Sequence, residues 1–399
     1  MDEFDDIRPY RDDEVGPAVA ALADDPAFVA FGARFAVPAL GPGLRTLLHP
    51  LIRRLIKRQA RRLDSVDDLQ QLVGRYLRLL LRVTSDGMTV RGLDVLDPSQ
   101  PYLFISNHRD IVLDPTLLNY ALWLEGHATT QVAIGDNLLG TGYRCDLMRL
   151  NKAFVVYRDV SGAKAALSAM RQTSSYMRTV LEAGESVWIA QRQGRSKDGV
   201  DRTEPALLKM LHLAYRSETR SVGEWLRRVR LAPVSISYEI DPCAPIKARE
   251  LYYRDTQGRY DKDPEEDAES IERGIAGFKG RIHVHVSPPV EGDYADADEL
   301  ARHLDHRIVS NLVDYPTHHH ARSGGDGDLS GASPRTRETF LGDLAACPEE
   351  YRPYFLLQYA NQVEHKRTLE TAKANAAPVG RCGDRNAAPT ARPFVRRPT

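Results

Sequence analysis

The chain has 399 residues, 42% of them hydrophobic, with 54 Lys and Arg against 55 Asp and Glu and a formal net charge of −1. Near-neutrality excludes a globally basic nucleic-acid binder, and the length suffices for a full hydrophobic core without staples. Four cysteines (Cys145, Cys243, Cys347 and Cys382) stand far apart, which excludes a disulfide scaffold and the common zinc knuckles and suits a reducing compartment.

No stretch approaches the ~20 apolar residues of a transmembrane helix. The run Leu79-Leu80-Leu81 is bounded by Arg78 and Arg82, and the start, Met-Asp-Glu-Phe-Asp-Asp, is acidic where a secretory signal would be basic. The expected location is the cytoplasm, peripheral on the inner face of the cell membrane.

In chain order, residues 1–40 carry two short apolar segments, and 44–83 read as helix. Strands are expected near 88–92, 102–106, 130–134, 153–157, 186–190, 232–238 and 281–287. Helices are expected near 115–124, 162–183, 204–216, 265–277 and 296–313. This alternation predicts an α/β fold, a mixed, largely parallel sheet flanked by helices. Residues from Ser323 turn to Gly, Ser and Asp and read as a loop. Residues 336–368 read as helix again, and the Ala-, Pro- and Arg-rich end reads as disordered. The expected division is an N-terminal helical segment (1–84), a central domain (85–320), a loop with a helical C-terminal extension (321–368) and a disordered tail (369–399).

The helical stretch from Leu51 to Leu63 has two faces. Basic residues pair at Arg53-Arg54, Lys57-Arg58 and Arg61-Arg62, and apolar residues pair at Leu51-Ile52 and Leu55-Ile56. A four-residue spacing keeps each set on one side, and the two-residue offset puts the sets roughly 200° apart. Such a helix suits an anionic lipid interface, with Arg53, Arg54, Lys57 and Arg58 as the membrane contacts. It equally suits a helix packed on a core with a solvated basic face.

Chemistry first appears in Ser106-Asn107-His108-Arg109-Asp110-Ile111-Val112-Leu113-Asp114-Pro115, directly after the apolar run 102–105. A polar cluster at the end of a strand is where open α/β sheets place their ligands. His108 takes a proton near neutral pH, and Asp114 or Asp110 can orient its ring. Asp114 also reads as an N-cap for a helix beginning at Pro115. His-Arg-Asp opens the protein-kinase catalytic loop, but Pro115 stands where that loop needs Asn, and no Asp-Phe-Gly follows.

A second cluster, Gln191 to Gly199, follows the strand 186–190. Gly194 and Gly199 let backbone approach a ligand, while Arg195 and Lys197 supply cations that match a phosphate; a basic surface turn is the plain alternative. The segment 153–158 is a strand ending in Arg158. The run 231–239 is a strand with an internal Pro233, read as an edge or a strand start.

The order of these four segments resembles the glycerophospholipid acyltransferase superfamily, which includes glycerol-3-phosphate and 1-acylglycerol-3-phosphate acyltransferases. The matching blocks are Asn107–Asp114, Ala153–Arg158, Gly194–Gly199 and Ala232–Glu239, and the likeness spans roughly 85–290. Two features depart from the family. Five residues rather than four separate His108 from Asp114, so a loop or bulge must absorb the extra one, with Asp110 as fallback. The family's Glu before the third-block Gly is absent, with Arg192 and Gln193 in its place.

The resemblance implies transfer of a fatty acyl group from acyl-CoA or acyl carrier protein to a glycerol-3-phosphate or lysophospholipid hydroxyl. His108 would be the base and Asp114 its orienting partner. Arg158, Gly194, Arg195, Ser196 and Lys197 would hold the acceptor. No cofactor and no metal are implied, even though His318-His319-His320 stand in a row, and no nucleic acid is expected. The implied partners are the acyl thioester, the phosphorylated acceptor and an anionic membrane surface. Another lysolipid acceptor, or a non-catalytic lipid-binding role, are the alternatives. A serine hydrolase lacks its Gly-x-Ser-x-Gly.

Overall fold

The computed structural model describes residues 3–36, 42–138, 142–158, 160–263, 265–376 and 392–393. The chain begins with α1 (Asp12–Leu22), α2 (Pro26–Ala36), α3 (Pro42–Leu47), α4 (His49–Ala60) and α5 (Val66–Thr84), followed by β1 (Gly87–Arg91), β2 (Leu103–Ser106) and α6 (Leu113–Leu124). Next come β3 (Gln131–Gly135), α7 (Tyr143–Leu150), β4 (Ala153–Val156), α8 (Ala163–Glu182) and β5 (Val187–Ala190). Then follow α9 (Pro205–His212), α10 (Val222–Val229), β6 (Leu231–Tyr238), α11 (Ala244–Gln257), α12 (Glu266–Ala276) and β7 (Arg281–Val286). The last elements are α13 (Ala297–Ser310), α14 (Pro316–Arg322), α15 (Pro334–Ala346), α16 (Arg352–Ala376) and the two-residue β8 (Arg392–Pro393).

All seven expected strands form, each within a residue or two of its predicted bounds. The single helix expected over 44–83 is three. Pro50 sits in the first turn of α4, where its missing N–H costs nothing. Ser65 starts α5 afresh, its Oγ accepting from the Asp68 N–H at 3.1 Å while donating to the Asp68 carboxylate at 2.9 Å. Helices α7, α10, α11 and α14 were not expected. The start of α10 carried a legible signal, since Ser221 Oγ accepts from the Glu224 N–H at 3.2 Å and the Glu224 carboxylate accepts from the Arg220 N–H at 2.8 Å. Of the tail read as disordered, residues 369–376 continue α16, and Arg392–Pro393 pair antiparallel with β1. The rest of that tail lies outside the described residues.

The chain forms two compact units, each assembled from separate segments. One is Met1–Leu77 with Thr129–Trp188; the other is Arg78–Ala128 with Ile189–Thr399. The first unit holds β3 between β4 and β5, all parallel. Its helical core gathers Val15, Val19, Leu22, Ala60, Leu63, Leu69 and Leu150. The second unit holds β2, β6, β7 and β1 side by side, with β2/β6 and β7/β1 parallel and β6/β7 antiparallel. Around Phe340, α14 and α16 bury Phe355 and Tyr359 against Ile240 and Ala244. The architecture is therefore α/β, with a mixed, mostly parallel pairing of strands flanked by helices.

Pro233 corrects the sequence reading of β6, which is a central strand with all eight residues buried. The Pro233 carbonyl accepts from the Ser287 N–H at 2.8 Å, so its imide nitrogen faces the same side, just beyond the last β7 residue. The missing donor faces away from β2 and falls where β7 has already ended, so the β2/β6 pairing is untouched.

No single helix among the described residues is long and apolar enough to cross a membrane. Helices α1 and α2 pass that test only as a pair, bent by 83°.

Candidate active site

Strand β2 ends at Ser106, but β6 runs on for four residues past their last paired position. Asn107 completes the ladder with its side chain. Its Nδ2 donates to the Ile236 carbonyl at 2.9 Å, and its Oδ1 accepts from the Ile236 N–H at 2.8 Å. The amide group thus stands in for the next peptide unit, and the main chain is released from the sheet one residue before His108.

The released chain turns tightly around one carboxylate. Asp114, in the first turn of α6, is fully buried. Its Oδ2 lies 2.8 Å from His108 Nδ1 and accepts from the Arg109 N–H at 2.6 Å and the Asp110 N–H at 3.0 Å. Its Oδ1 accepts from the Tyr238 hydroxyl at 2.7 Å. Against an ionised carboxylate His108 Nδ1 carries the proton, so Nε2 is the basic nitrogen of the neutral ring. The extra residue between His108 and Asp114 is absorbed by this turn, whose two N–H groups point at the carboxylate.

Asp110 plays the part the sequence had offered to Asp114. Its Oδ1 accepts from the Val112 N–H at 3.0 Å and the Leu113 N–H at 2.8 Å, which satisfies the start of α6. Asp114 is therefore inside the helix and does not cap it. Burial, reinforced by the Asp114 charge, raises the Asp110 carboxyl above its ordinary range. Gly274 of α12 packs on it so closely that a Cβ there would meet Asp110 Oδ2 at 2.1 Å.

The loop after β5 lies against this turn. Gln191 N–H donates to the Ser106 carbonyl at 2.8 Å, and Ser196 N–H donates to the His108 carbonyl at 2.7 Å. Gly194 adopts φ 75°, in the left-handed region glycine favours. Ser196 Oγ reaches back to the Val200 carbonyl at 3.1 Å, so its hydroxyl shapes the loop. Arg195 is buried. Its Nη2 donates to Ser270 Oγ at 3.2 Å and stands 4.0 Å from Asp267, while its Nη1 has no hydrogen-bond partner. A buried, unpaired guanidinium N–H is costly unless an acceptor arrives. Lys197 is engaged with Glu250 of α11. Arg109 spans the loop, with Nη2 paired to the buried Asp201 at 2.6 Å.

Sequence reasoning missed three supporting residues. Asn107 was seen in the motif without a role. Tyr238, the last residue of β6, is 124 positions from its partner Asp114. Lys247 of α11 is buried, pairs with Asp241 and donates to the Arg109 carbonyl at 2.8 Å, steadying the turn from below. A tyrosine closing the strand Leu231–Tyr238 was the one visible hint, since a buried phenol needs a partner.

His108, Asp114, Gly194, Arg195, Ser196 and Lys197 meet in the second unit. The other expected residues belong to the first unit. Arg158 follows β4 and lays its guanidinium over Gly135, where a Cβ would meet Nε at 2.4 Å. Arg53, Arg54, Lys57 and Arg58 lie on α4. The histidine row belongs to α14. His318 Nδ1 accepts from the Tyr315 N–H at 2.9 Å, and His320 Nδ1 lies 2.5 Å from the Gly327 carbonyl, on which it donates. Burial lowers the His318 ring to about 3, so it is a neutral core histidine.

Residues 87–218 match the acyltransferase family. This segment is an acyltransferase domain. The match takes in β1 through α9, with His108, Asp114, Arg158 and the Gly194–Gly199 loop, and stops short of β6. The solved structure of a 1-acyl-sn-glycerophosphate (LPA) acyltransferase, PlsC, from Thermotoga maritima is similar to the chain at 15% identity, covering 61% of this chain and 78% of that one with a TM-score of 0.36. No curated protein matches.

Within the acyltransferase domain and its β6 flank, Tyr238 is a positioning residue. Burial, then the Asp114 charge, lifts its phenol well above the ordinary range, so it stays a protonated donor. Its hydrogen bond takes up part of the carboxylate's charge. Tyr238→Phe leaves Asp114 Oδ1 without its donor in a buried site. Unfolding stability is expected to fall by about 1–3 kcal/mol in thermal or denaturant melts. Wild-type stability in Tyr238→Phe would show that this hydrogen bond does not hold the carboxylate.

Proposed function

We propose that the chain transfers a fatty acyl group from a thioester donor, acyl-CoA or acyl carrier protein, to a hydroxyl of glycerol-3-phosphate or 1-acyl-glycerol-3-phosphate. The observation that carries this reading is the His108–Asp114 pair, whose carboxylate is held by three further donors, beside a loop whose Arg195 keeps a buried Nη1 without a partner.

His108 Nε2 takes the acceptor hydroxyl's proton as the oxygen attacks the thioester carbonyl. Asp114 opposes the charge of the resulting imidazolium. The tetrahedral intermediate collapses, the C–S bond breaks, and the thiolate recovers the proton from His108, leaving an ester and a free thiol. Arg195 presents Nη1 to the acceptor phosphate, a charge-assisted bond. This chemistry asks nothing of a metal or an organic cofactor.

The test is thiol release from palmitoyl-CoA by detergent-dispersed protein, offered glycerol-3-phosphate, 1-acyl-glycerol-3-phosphate or no acceptor. Acceptor-dependent release that falls at least about 100-fold in His108→Ala is expected. Silence with both acceptors, repeated with acyl carrier protein as donor, would overturn these substrates and favour a lipid-binding role.

A further inference from the structure

Helix α4 presents three faces, not the two its sequence suggested. Ile56 and Ala60 pack into the core of the first unit, and Ile52 lies toward α2, 3.9 Å from where a Cβ on Gly32 would stand. Their sequence neighbours Leu51 and Leu55 point outward, each 54% exposed. With Leu47 at 74% and Leu44 at 57%, they form an exposed leucine row over α3 and α4. The third face closes one wall of a cavity of about 910 Å³ shared with α2 and the turn before it.

That cavity is strongly cationic. Arg53, Arg54, Lys57, Arg58 and Arg61 line it against the single carboxylate of Asp24. Arg53 and Lys57 both pair with Asp24, Lys57 at 2.8 Å. Arg54, Arg58 and Arg61 have no ion-pair partner among the described residues. Five cations facing one anion around a concave space imply an anionic occupant of small-molecule size.

The leucine row identifies its source. Arg54 and Arg58 stand three and seven residues after Leu51, so on a helix they border the leucines directly. Cations that rim a cavity and adjoin an exposed apolar row match the layering of an anionic bilayer, phosphates above acyl chains. We propose that the cavity between α2 and α4 binds the phosphate headgroup of an anionic phospholipid, with Leu44, Leu47, Leu51 and Leu55 seated among the acyl chains of the same bilayer. The proposal goes beyond acyl transfer and is read without turnover, so either can fail alone.

The test is flotation of the full chain with phosphatidylcholine vesicles, with and without one-quarter phosphatidylglycerol, at low and high salt. Binding that needs phosphatidylglycerol and weakens with salt is expected. Each cation near an anionic surface is worth about a five-fold change in partition, so Arg54→Ala with Arg58→Ala should weaken binding about 30-fold. Asp24→Asn frees Arg53 and Lys57 and should strengthen it about five-fold, a gain that misfolding cannot mimic. Leu47→Ser with Leu51→Ser should weaken it at least about ten-fold at either salt. Binding unaffected by phosphatidylglycerol, or by both Asp24→Asn and the arginine pair, would overturn the headgroup site. So would inorganic phosphate binding at α4, seen by chemical-shift changes, in a protein that ignores the vesicles; the site would then be one for a free anion.

Discussion

Asp114→Asn is expected to lower acyl transfer by about 10³–10⁴-fold while leaving the fold intact. Three donors converge on Oδ2, and the asparagine oxygen can take that place. The new NH₂ then faces the Tyr238 hydroxyl, which can turn to accept. The three donors on Oδ2 keep their acceptor, and the main loss is the negative charge opposite the imidazolium, with the turned Tyr238 proton as a smaller cost. Asp114→Ala differs in kind. It strands the Arg109 and Asp110 N–H groups, the His108 ring and the Tyr238 hydroxyl in a dry interior, which should cost about 3–5 kcal/mol of unfolding free energy. Steady-state rates and thermal melts of both variants make the comparison. Equal losses of stability in the two would show that Asp114 only holds the turn.

Gly199→Ala is expected to damage the loop that carries Arg195. Gly199 has φ 80°, and a Cβ there would lie 2.0 Å from the Gln358 carbonyl oxygen of α16. The obstacle is backbone, so no rotamer change relieves it. The left-handed conformation adds strain for any residue with a Cβ. Together these should cost about 2–4 kcal/mol and lower the melting temperature by on the order of 10 °C. Asn361 of α16 also donates to the Asp198 carbonyl at 2.8 Å, so the helical extension braces this loop from outside. Lifting α16 should raise the KM for a phosphorylated acceptor more than it lowers kcat. Wild-type melting and an unchanged KM in Gly199→Ala would show that α16 does not position the loop.

Much of the site was legible because it is local. The strand before His108, the Pro and leucines after Asp114, and the Gly194–Gly199 loop after β5 are all written within a dozen residues. Apolar runs bounded by turn residues placed the strands for the same reason. The choice between Asp110 and Asp114 was not legible, since both lie within reach of His108 along the chain. The turn decides it: Asp110 is consumed by the N–H groups at the start of α6, which leaves Asp114 to meet the ring.

Other outcomes turned on partners distant in sequence. Lys197 is drawn to Glu250, 53 residues on. The pairs Leu51-Ile52 and Leu55-Ile56 looked like one apolar face, but only the isoleucines turn inward, toward α2 and the core of the first unit. Pro233 reads as an edge signal until β7 is seen to end beside it.

By itself the sequence determined the α/β alternation, the order of the four motifs and the family they resemble, because side-chain periodicity and turn chemistry act over a few residues. Tertiary structure alone decided which carboxylate holds His108, that Tyr238 secures that carboxylate, and which leucines are left to solvent. Those outcomes depend on which distant donors arrive first at a buried acceptor and which faces find a neighbour, and only the folded chain brings such groups within reach.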